Sequence, residues 1–307
     1  MMTGDNSATN CSDASLDAEE VMAGTASRVD LWMLLEYDSA WMKGALRENM
    51  LPVAVNERLE GWLNALPNSR LQFIKSADGH GGGRLSFFVV LSRDREPVTL
   101  RFELDSYEDL LAIDVPKAVS SPQSFIPHTE HSPIYLVCTH GSYDGCCGRR
   151  GVPVLRELGS LRGGAAWQTT HLGGHRFAAN LVCLPHGVYY GRVSAEGVLA
   201  LVSDYENGLV TIENLRGRSC YPKAAQAAEY FLRMETGARE IDRYALLGVH
   251  ESGDGSARID FKDSGNGRLY SLVVSVKAEG VLTLTSCGDT ERSFAPRFEL
   301  VNLCVTE

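Results

Sequence analysis

The chain lacks several features that would place it in familiar classes. It has no basic balance: 29 Lys+Arg face 39 Asp+Glu over 307 residues, a net charge of −10. A broadly nucleic-acid-binding surface needs a basic field to displace counterions, so no nucleic-acid partner is expected. No run approaches the ~20 apolar residues needed to span a bilayer, so no membrane partner is expected either. The opening MMTGDNSATNCSDASLDAEE has no basic start or apolar run of a secretory leader, and too many acids for a transit peptide. A cytoplasmic location is therefore expected, where thiols stay reduced. Cysteine is sparse, eight residues scattered from Cys11 to Cys304, too few for a disulfide scaffold. There is no C-x-x-C for dithiol exchange and no H-E-x-x-H for a zinc hydrolase. Gly79–Arg84 (GHGGGR) lacks the Lys-Ser/Thr of a phosphate loop and reads as a turn.

The composition that is present, 44% hydrophobic and 22% charged, is that of a folded globular chain. Residues 1–25 form a polar segment expected to be mobile at its start. Residues 26–115 read as an α/β domain. Asp30–Tyr37 is an apolar run of strand length, and Pro52–Leu66 has helical apolar spacing. Leu71–Ile74, Leu85–Leu91 and Val98–Leu104 read as strands, and Asp105 opens a short helix. Residues 116–132 are rich in Pro and Ser and read as a linker.

Residues 133–215 read as strand Ile134–Cys138, helix Gly148–Leu158, strands Ala165–Thr170, Phe177–Leu184 and Val188–Val193, and helix Ser194–Tyr205. This β-α-β-β-β-α order fits a thioredoxin-like core with one parallel crossover and a hairpin. Residues 221–307 read as a helix, Tyr221–Met234, followed by the short alternating runs Tyr244–Val249, Arg258–Phe261, Leu269–Val276, Val281–Thr285 and Phe298–Leu303 of a small antiparallel β module. The fold class expected is thus α/β, with a small β-rich module at the C-terminal end. No internal repeat is evident in the sequence.

Chemistry concentrates between Cys138 and Arg176. Cys138 and Cys147 stand eight residues apart in CTHGSYDGCCGRRG, and His171 and His175 flank two glycines in HLGGHRF. Two thiolates and two imidazoles suit zinc or an iron–sulfur cluster. The paired glycines argue against a helix carrying both histidines. Structural zinc sites usually bring cysteines in as C-x(2–4)-C knuckles, whereas a wide glycine-rich loop suits a larger inorganic core. Dithiol chemistry at the vicinal Cys146-Cys147 is a further reading, disfavoured by the strain of a vicinal disulfide.

Cys-x8-Cys followed by His-x-Gly-Gly-His resembles the sucrase/ferredoxin-like family, the thioredoxin-like ferredoxins with a bis-histidinyl 2Fe–2S cluster. Cys11-Ser12, Gly24-Thr25-Ala26, Trp32-Met33-Leu34-Leu35-Glu36, His175–Val193 and Arg216-Gly217…Gln226 are similar to the family as well. The likeness spans roughly residues 11–235. It implies a thioredoxin-like ferredoxin domain at 133–215, preceded by a divergent α/β domain that is either a partner-docking unit or a second thioredoxin-like fold. It also implies Cys138 and Cys147 on one iron and His171 and His175 on the other, with the family spacing selecting Cys147 over Cys146. The 23 residues between Cys147 and His171 are at the short end for the family.

Such a cluster is neutral when oxidised and carries a single negative charge when reduced, against two and three for an all-cysteine cluster. Histidine ligation should therefore raise the potential and couple electron to proton transfer. The implied protein is an electron carrier with an unidentified redox partner, rather than an enzyme with its own substrate. The alternatives are a structural zinc-binding interaction module and a thiol–disulfide oxidoreductase using Cys146/Cys147. No pair of carboxylates is singled out to support the "sucrase" of the family name.

Arg149, Arg150, Arg156, Arg162 and Arg176 give this segment a local excess of positive charge, readable as a docking field or as a solvated face. His140 reads as a solvent-facing loop residue. Asn180 and Arg192 read as packing or supporting residues. Cys183, Cys220, Cys287 and Cys304 read as thiols without a ligand role, and no physical role is evident for Cys11.

Overall fold

The computed structural model describes residues 10–79 and 83–306. The elements in chain order are α1 (Cys11–Asp17), β1 (Leu31–Glu36), α2 (Val53–Ala65), β2 (Ser69–Ser76), β3 (Leu85–Leu91), β4 (Val98–Leu104) and α3 (Val115–Ser120). They continue with β5 (Ile134–Cys138), α4 (Gly145–Arg162), β6 (Ala166–Thr169), β7 (Leu181–Leu184), β8 (Val188–Tyr190), α5 (Val198–Glu206), β9 (Leu215–Arg218) and α6 (Lys223–Thr236). The antiparallel strands β10 (Tyr244–Glu251), β11 (Ser256–Asp263), β12 (Leu269–Thr283) and β13 (Ser293–Thr306) close the chain.

β1 to β9 form one curled mixed sheet in the order β4-β3-β1-β2-β6-β5-β7-β8-β9. The run LWMLLE of β1 is buried along its whole length because both sheet faces are covered. Its side chains divide by parity. Leu31, Met33 and Leu35 join the core under α2, while Trp32 and Leu34 point to the opposite core. β5 divides in the same way: Tyr135 and Val137 face the core that includes α4 and α5, and Ile134, Leu136 and Cys138 join Trp32 and Leu34. The core shared by both halves of the sheet therefore reaches directly to Cys138 and Cys147.

The two halves have the same wiring. In the second, β5 runs parallel to β6 through α4 and antiparallel to β7, which hairpins to β8. In the first, β1 runs parallel to β2 through α2 and antiparallel to β3, which hairpins to β4. The expected β-α-β-β-β order thus occurs twice, without a repeat in the sequence. The corresponding edge strands β2 and β6 pair antiparallel at Ile74–Ser76, joining the halves edge to edge.

The expected mobile start of the polar N-terminal segment falls outside the described residues, and two other expectations are corrected. The N-terminal segment is folded from residue 11 onward. Cys11, Ser12, Ala14 and Ser15 of α1 are buried, while residues 1–9 lie outside the described residues. The Pro/Ser stretch 116–132 is structured: Asp114 caps α3, Pro116 occupies its first turn, and Val115 and Ala118 pack into the first core. Expected strands 269–276 and 281–285 are largely one strand, β12, irregular where Lys277 and Val281 shift register. The glycine-rich turn at 79–84 falls mainly on residues 80–82, outside the described residues.

β10 to β13 form a separate antiparallel meander, and α6 shares its apolar core through Ala225, Ala228 and Leu232. No helix among the described residues is long and apolar enough to cross a membrane.

Candidate metal centre

The β5-α4 crossover brings a strand end and a helix start together. Asp144 caps α4, its carboxylate accepting from the backbone N–H of Cys146 at 2.9 Å. α4 lies so close to β5 that a Cβ on Gly151 would collide with the Cys138 carbonyl. Gly148 likewise faces the Gly141 backbone, where a Cβ would lie 3.1 Å from its Cα. These glycines let Cys138, on the strand, and Cys147, in the first helical turn, meet.

Cys138, Cys147 and His171 place their ligand-type atoms within 4.8 Å of one another. His171 Nδ1 lies 3.5 Å from Cys147 Sγ and 3.9 Å from Cys138 Sγ. The two thiols are coupled. The hydrogen bond from Cys147 holds the Cys138 thiol well below its ordinary range against the effect of burial, and His171 adds to it. The same bond, with burial, drives Cys147 upward.

His175 stands apart from that compact trio, its ring centroid 5.2 Å from that of His171. Its Nε2 donates to the Thr285 carbonyl at 2.7 Å and lies 3.8 Å from an Asp144 oxygen. Its buried Nδ1 has no hydrogen-bond partner among the described residues. Burial holds this imidazole below its ordinary pKa, and the bond to the Thr285 carbonyl puts its hydrogen on Nε2, leaving the lone pair on Nδ1. An unpartnered buried ring nitrogen is what a metal-binding histidine presents when its other nitrogen is fixed by a carbonyl.

The loop carrying the histidines is held from below. Gly173 and Gly174 have φ of 95° and 72°, so the segment is no helix. Buried Arg216 donates to Gly173 O at 3.0 Å, to Asn180 Oδ1 at 2.7 Å and to the Thr25 carbonyl at 2.6 Å. Asn180 in turn donates to Gly174 O at 2.9 Å. Arg70 donates to the carbonyls of His171 and Leu172. Tyr143 stacks on His171 with centroids 3.9 Å apart.

His140 is buried rather than solvent-facing. Its Nδ1 accepts from the His171 backbone N–H at 3.2 Å and its Nε2 donates to Met42 O at 2.9 Å. It holds the histidine loop through the backbone. Arg192 acts farther out, donating to the carbonyls of Ser15 and Glu20.

The local positive charge is mostly neutralised. Arg149 and Arg150 pair with Asp13, Arg162 with Glu206 and Arg176 with Glu20.

Cys146 faces away from Cys147's partners, because one residue on a helix turns the side chain by about 100°. It meets Cys11 and Cys287, and the residues missed as candidates are therefore Cys11, Cys287 and Asp144. Cys183 and Cys220 are buried without such neighbours, and Cys304 is exposed.

No solved structure matches the chain. It is 28% identical over 206 residues to altered inheritance of mitochondria protein 32 of Meyerozyma guilliermondii, covering 57% of this chain and 68% of that protein. The sucrase/ferredoxin-like family matches residues 22–217, which include both halves of the curled sheet, and the protein belongs to that family.

Proposed function

We propose that the protein transfers electrons through a 2Fe–2S cluster held by Cys138, Cys147, His171 and His175. The supporting observation is the coincidence of a compact Cys138–Cys147–His171 group with a buried, unpartnered Nδ1 on the adjacent His175. When bound, such a cluster supplies one-electron redox chemistry at a potential raised by its histidine ligands.

The chain's own residues supply the rest. The Thr285 carbonyl keeps the proton of His175 on Nε2 and leaves Nδ1 for the metal. That Nε2–H is the proton the site can release, and Asp144 lies 3.8 Å from it. Buried apolar neighbours Leu172, Val182 and Trp32 exclude water from the thiol side. On the histidine side, His171 and Tyr143 line an open cleft with Lys43, Arg47 and Arg70. This basic edge suits an acidic redox partner.

A structural zinc ion at Cys138, Cys147 and His171 is the second reading, favoured by the compactness of that trio without His175. Anaerobically purified protein should be red-brown, with about two irons and two sulfides per chain, and give an EPR signal on reduction. A colourless protein with zinc bound through Cys138 would overturn the proposal. His175→Cys should retain a cluster while lowering its potential and flattening its pH dependence; unchanged electrochemistry would remove His175 from the ligand set.

A further inference from the structure

Three cysteines distant in sequence converge beside the first site. Cys146 Sγ lies 3.1 Å from Cys287 Sγ and 3.6 Å from Cys11 Sγ, and Cys11 Sγ lies 3.5 Å from Cys287 Sγ. Asp144 Oδ1 is 3.8 Å from Cys11 Sγ, and one ligand-type atom from each of the four residues lies within 4.8 Å of the others. Cys11 and Cys146 are fully buried and Asp144 nearly so.

A triangle of thiols has little reason to form by packing or hydrogen bonding. The S–H group is a weak donor, and one disulfide would satisfy two sulfurs and strand the third. A metal ion satisfies all three. With Zn–S near ~2.3 Å, a tetrahedral site has ligand–ligand edges of about 3.8 Å, so two of the sulfur pairs need to spread by about 0.2–0.3 Å and the Cys146–Cys287 pair by about 0.7 Å.

We propose that Cys11, Cys146, Cys287 and Asp144 form a second metal site that binds one Zn2+ ion. Three thiolates and a carboxylate make a closed four-donor set, the pattern of a structural zinc site. The oxygen donor favours Zn2+ over thiolate-loving Cu(I), and the sulfur majority excludes Ca2+ and Mg2+.

The supporting contacts are already in place. Asp144 Oδ2 accepts from the backbone N–H of Cys287 at 3.0 Å and from Ser286 Oγ at 3.3 Å, and Oδ1 accepts from Cys146 N. Each oxygen keeps coordinating capacity while the carboxylate is fixed in orientation. Binding Zn2+ releases the thiol protons to solvent. The helix α4 N-terminus and Arg149, which bonds Asp13 at 2.9 Å, offset the excess negative charge.

The ion would tie α1, the start of α4 and the loop between β12 and β13 into one clamp. The same loop supplies Thr285 to His175, so the clamp covers the first site without sharing a ligand with it. The zinc count and coordination shell expected below rest on the first site holding iron, as proposed above.

The test uses the full chain, expressed with zinc supplementation and purified anaerobically. Elemental analysis should find about one zinc per chain, lost in Cys287→Ser and in Cys11→Ser, with iron content unchanged and zinc retained in the Cys304→Ser control. Zinc absent from the wild type, or lost in Cys138→Ser but kept in Cys287→Ser, overturns the assignment. An intact mass lighter by two hydrogens, with a Cys146–Cys287 cross-link in the peptide map, overturns it as well. Where a variant fails to fold, zinc K-edge EXAFS on the wild type decides. A shell of three sulfurs and one oxygen is expected, and a shell containing imidazole nitrogen overturns the proposal. Iron is measured separately, so failure of the 2Fe–2S reading and failure of this one are distinguishable.

Discussion

Gly151→Ala tests whether the approach of α4 to β5 sets the geometry of the site. In an exposed helix interior this change would stabilise by roughly 0.5–1 kcal/mol, because alanine loses less backbone freedom than glycine. Here the added Cβ would lie 3.0 Å from the Cys138 carbonyl carbon and closer still to its oxygen. The oxygen contact, at 2.0 Å, is the limiting one and must open to at least 3.0 Å, so the helix must retreat by about 1 Å or more. Neither neighbour is a flexible side chain, since both contacts are backbone atoms of a central strand. Overpacking of this kind costs about 1–3 kcal/mol, so the net expectation is a loss of about 1–2 kcal/mol. The retreat also moves Cys147 away from Cys138, so metal content should fall. Gly145→Ala is the control, being on the same helix with nothing within 4 Å of its Cβ position. Urea unfolding followed by circular dichroism, with metal analysis of the same samples, measures both effects. A Gly151→Ala protein as stable as the Gly145→Ala control, with full metal content, would refute the reasoning.

Two further outcomes are expected away from the thiols. Burial, reinforced by Arg218, lowers the His186 pKa to about 4, and the neutral ring bonds Tyr205 Oη at 2.8 Å through Nδ1. The unfolded chain takes up a proton near pH ~6.5 and the folded chain does not. This group's stabilisation is therefore complete above pH ~6.5 and is lost as pH falls toward about 4, amounting to about 2 kcal/mol by pH ~5. Unfolding curves of His186→Gln should lack that component, and parallel pH profiles would exclude it. Arg216→Met leaves the acceptors at Gly173, Asn180 and Thr25 without their donor, so it should cost about 3 kcal/mol or more in unfolding experiments and loosen the histidine loop. Full stability with full metal retention would argue against a positioning role for Arg216.

The elements with continuous apolar runs were readable in the sequence. β1 and β3 are buried on both faces, so LWMLLE and LSFFVVL are apolar but for Glu36 and Ser86 near their ends. The proximity of Cys138, Cys147 and His171 was also readable, since short crossovers and hairpins leave few arrangements for the connecting loops. β9 was not readable, because LRGR looks like a solvated turn while Arg216 and Arg218 are in fact buried. Arg218 finds its charge partner in Asp94, 124 residues away, and no local pattern announces such a pair. The role of Cys11 was hidden for the same reason: its thiol partners are 135 and 276 residues distant. α4 starts ahead of the expected Gly148 because Gly145 and Gly148 look unfavourable to a helix, while the Asp144 cap fixes its start and the close approach of the Gly141 backbone requires Gly148.

The backbone of the N-terminal segment also depends on distant chain. Gly24 and Thr25 donate to the Arg216 carbonyl and Val29 donates to that of Ser219. During synthesis, residues 11–29 therefore emerge nearly two hundred residues ahead of their partners, and the loop that holds Thr285 emerges later still. Until then the histidine loop lacks Arg216 beneath it and Thr285 above it, so the proposed site would stand open to a metal. Closure waits for the loop between β12 and β13, so a metal at the proposed site would enter most readily before the fold is complete and leave slowly afterwards. A nascent chain stalled short of Thr285 should exchange bound metal far faster than the finished protein.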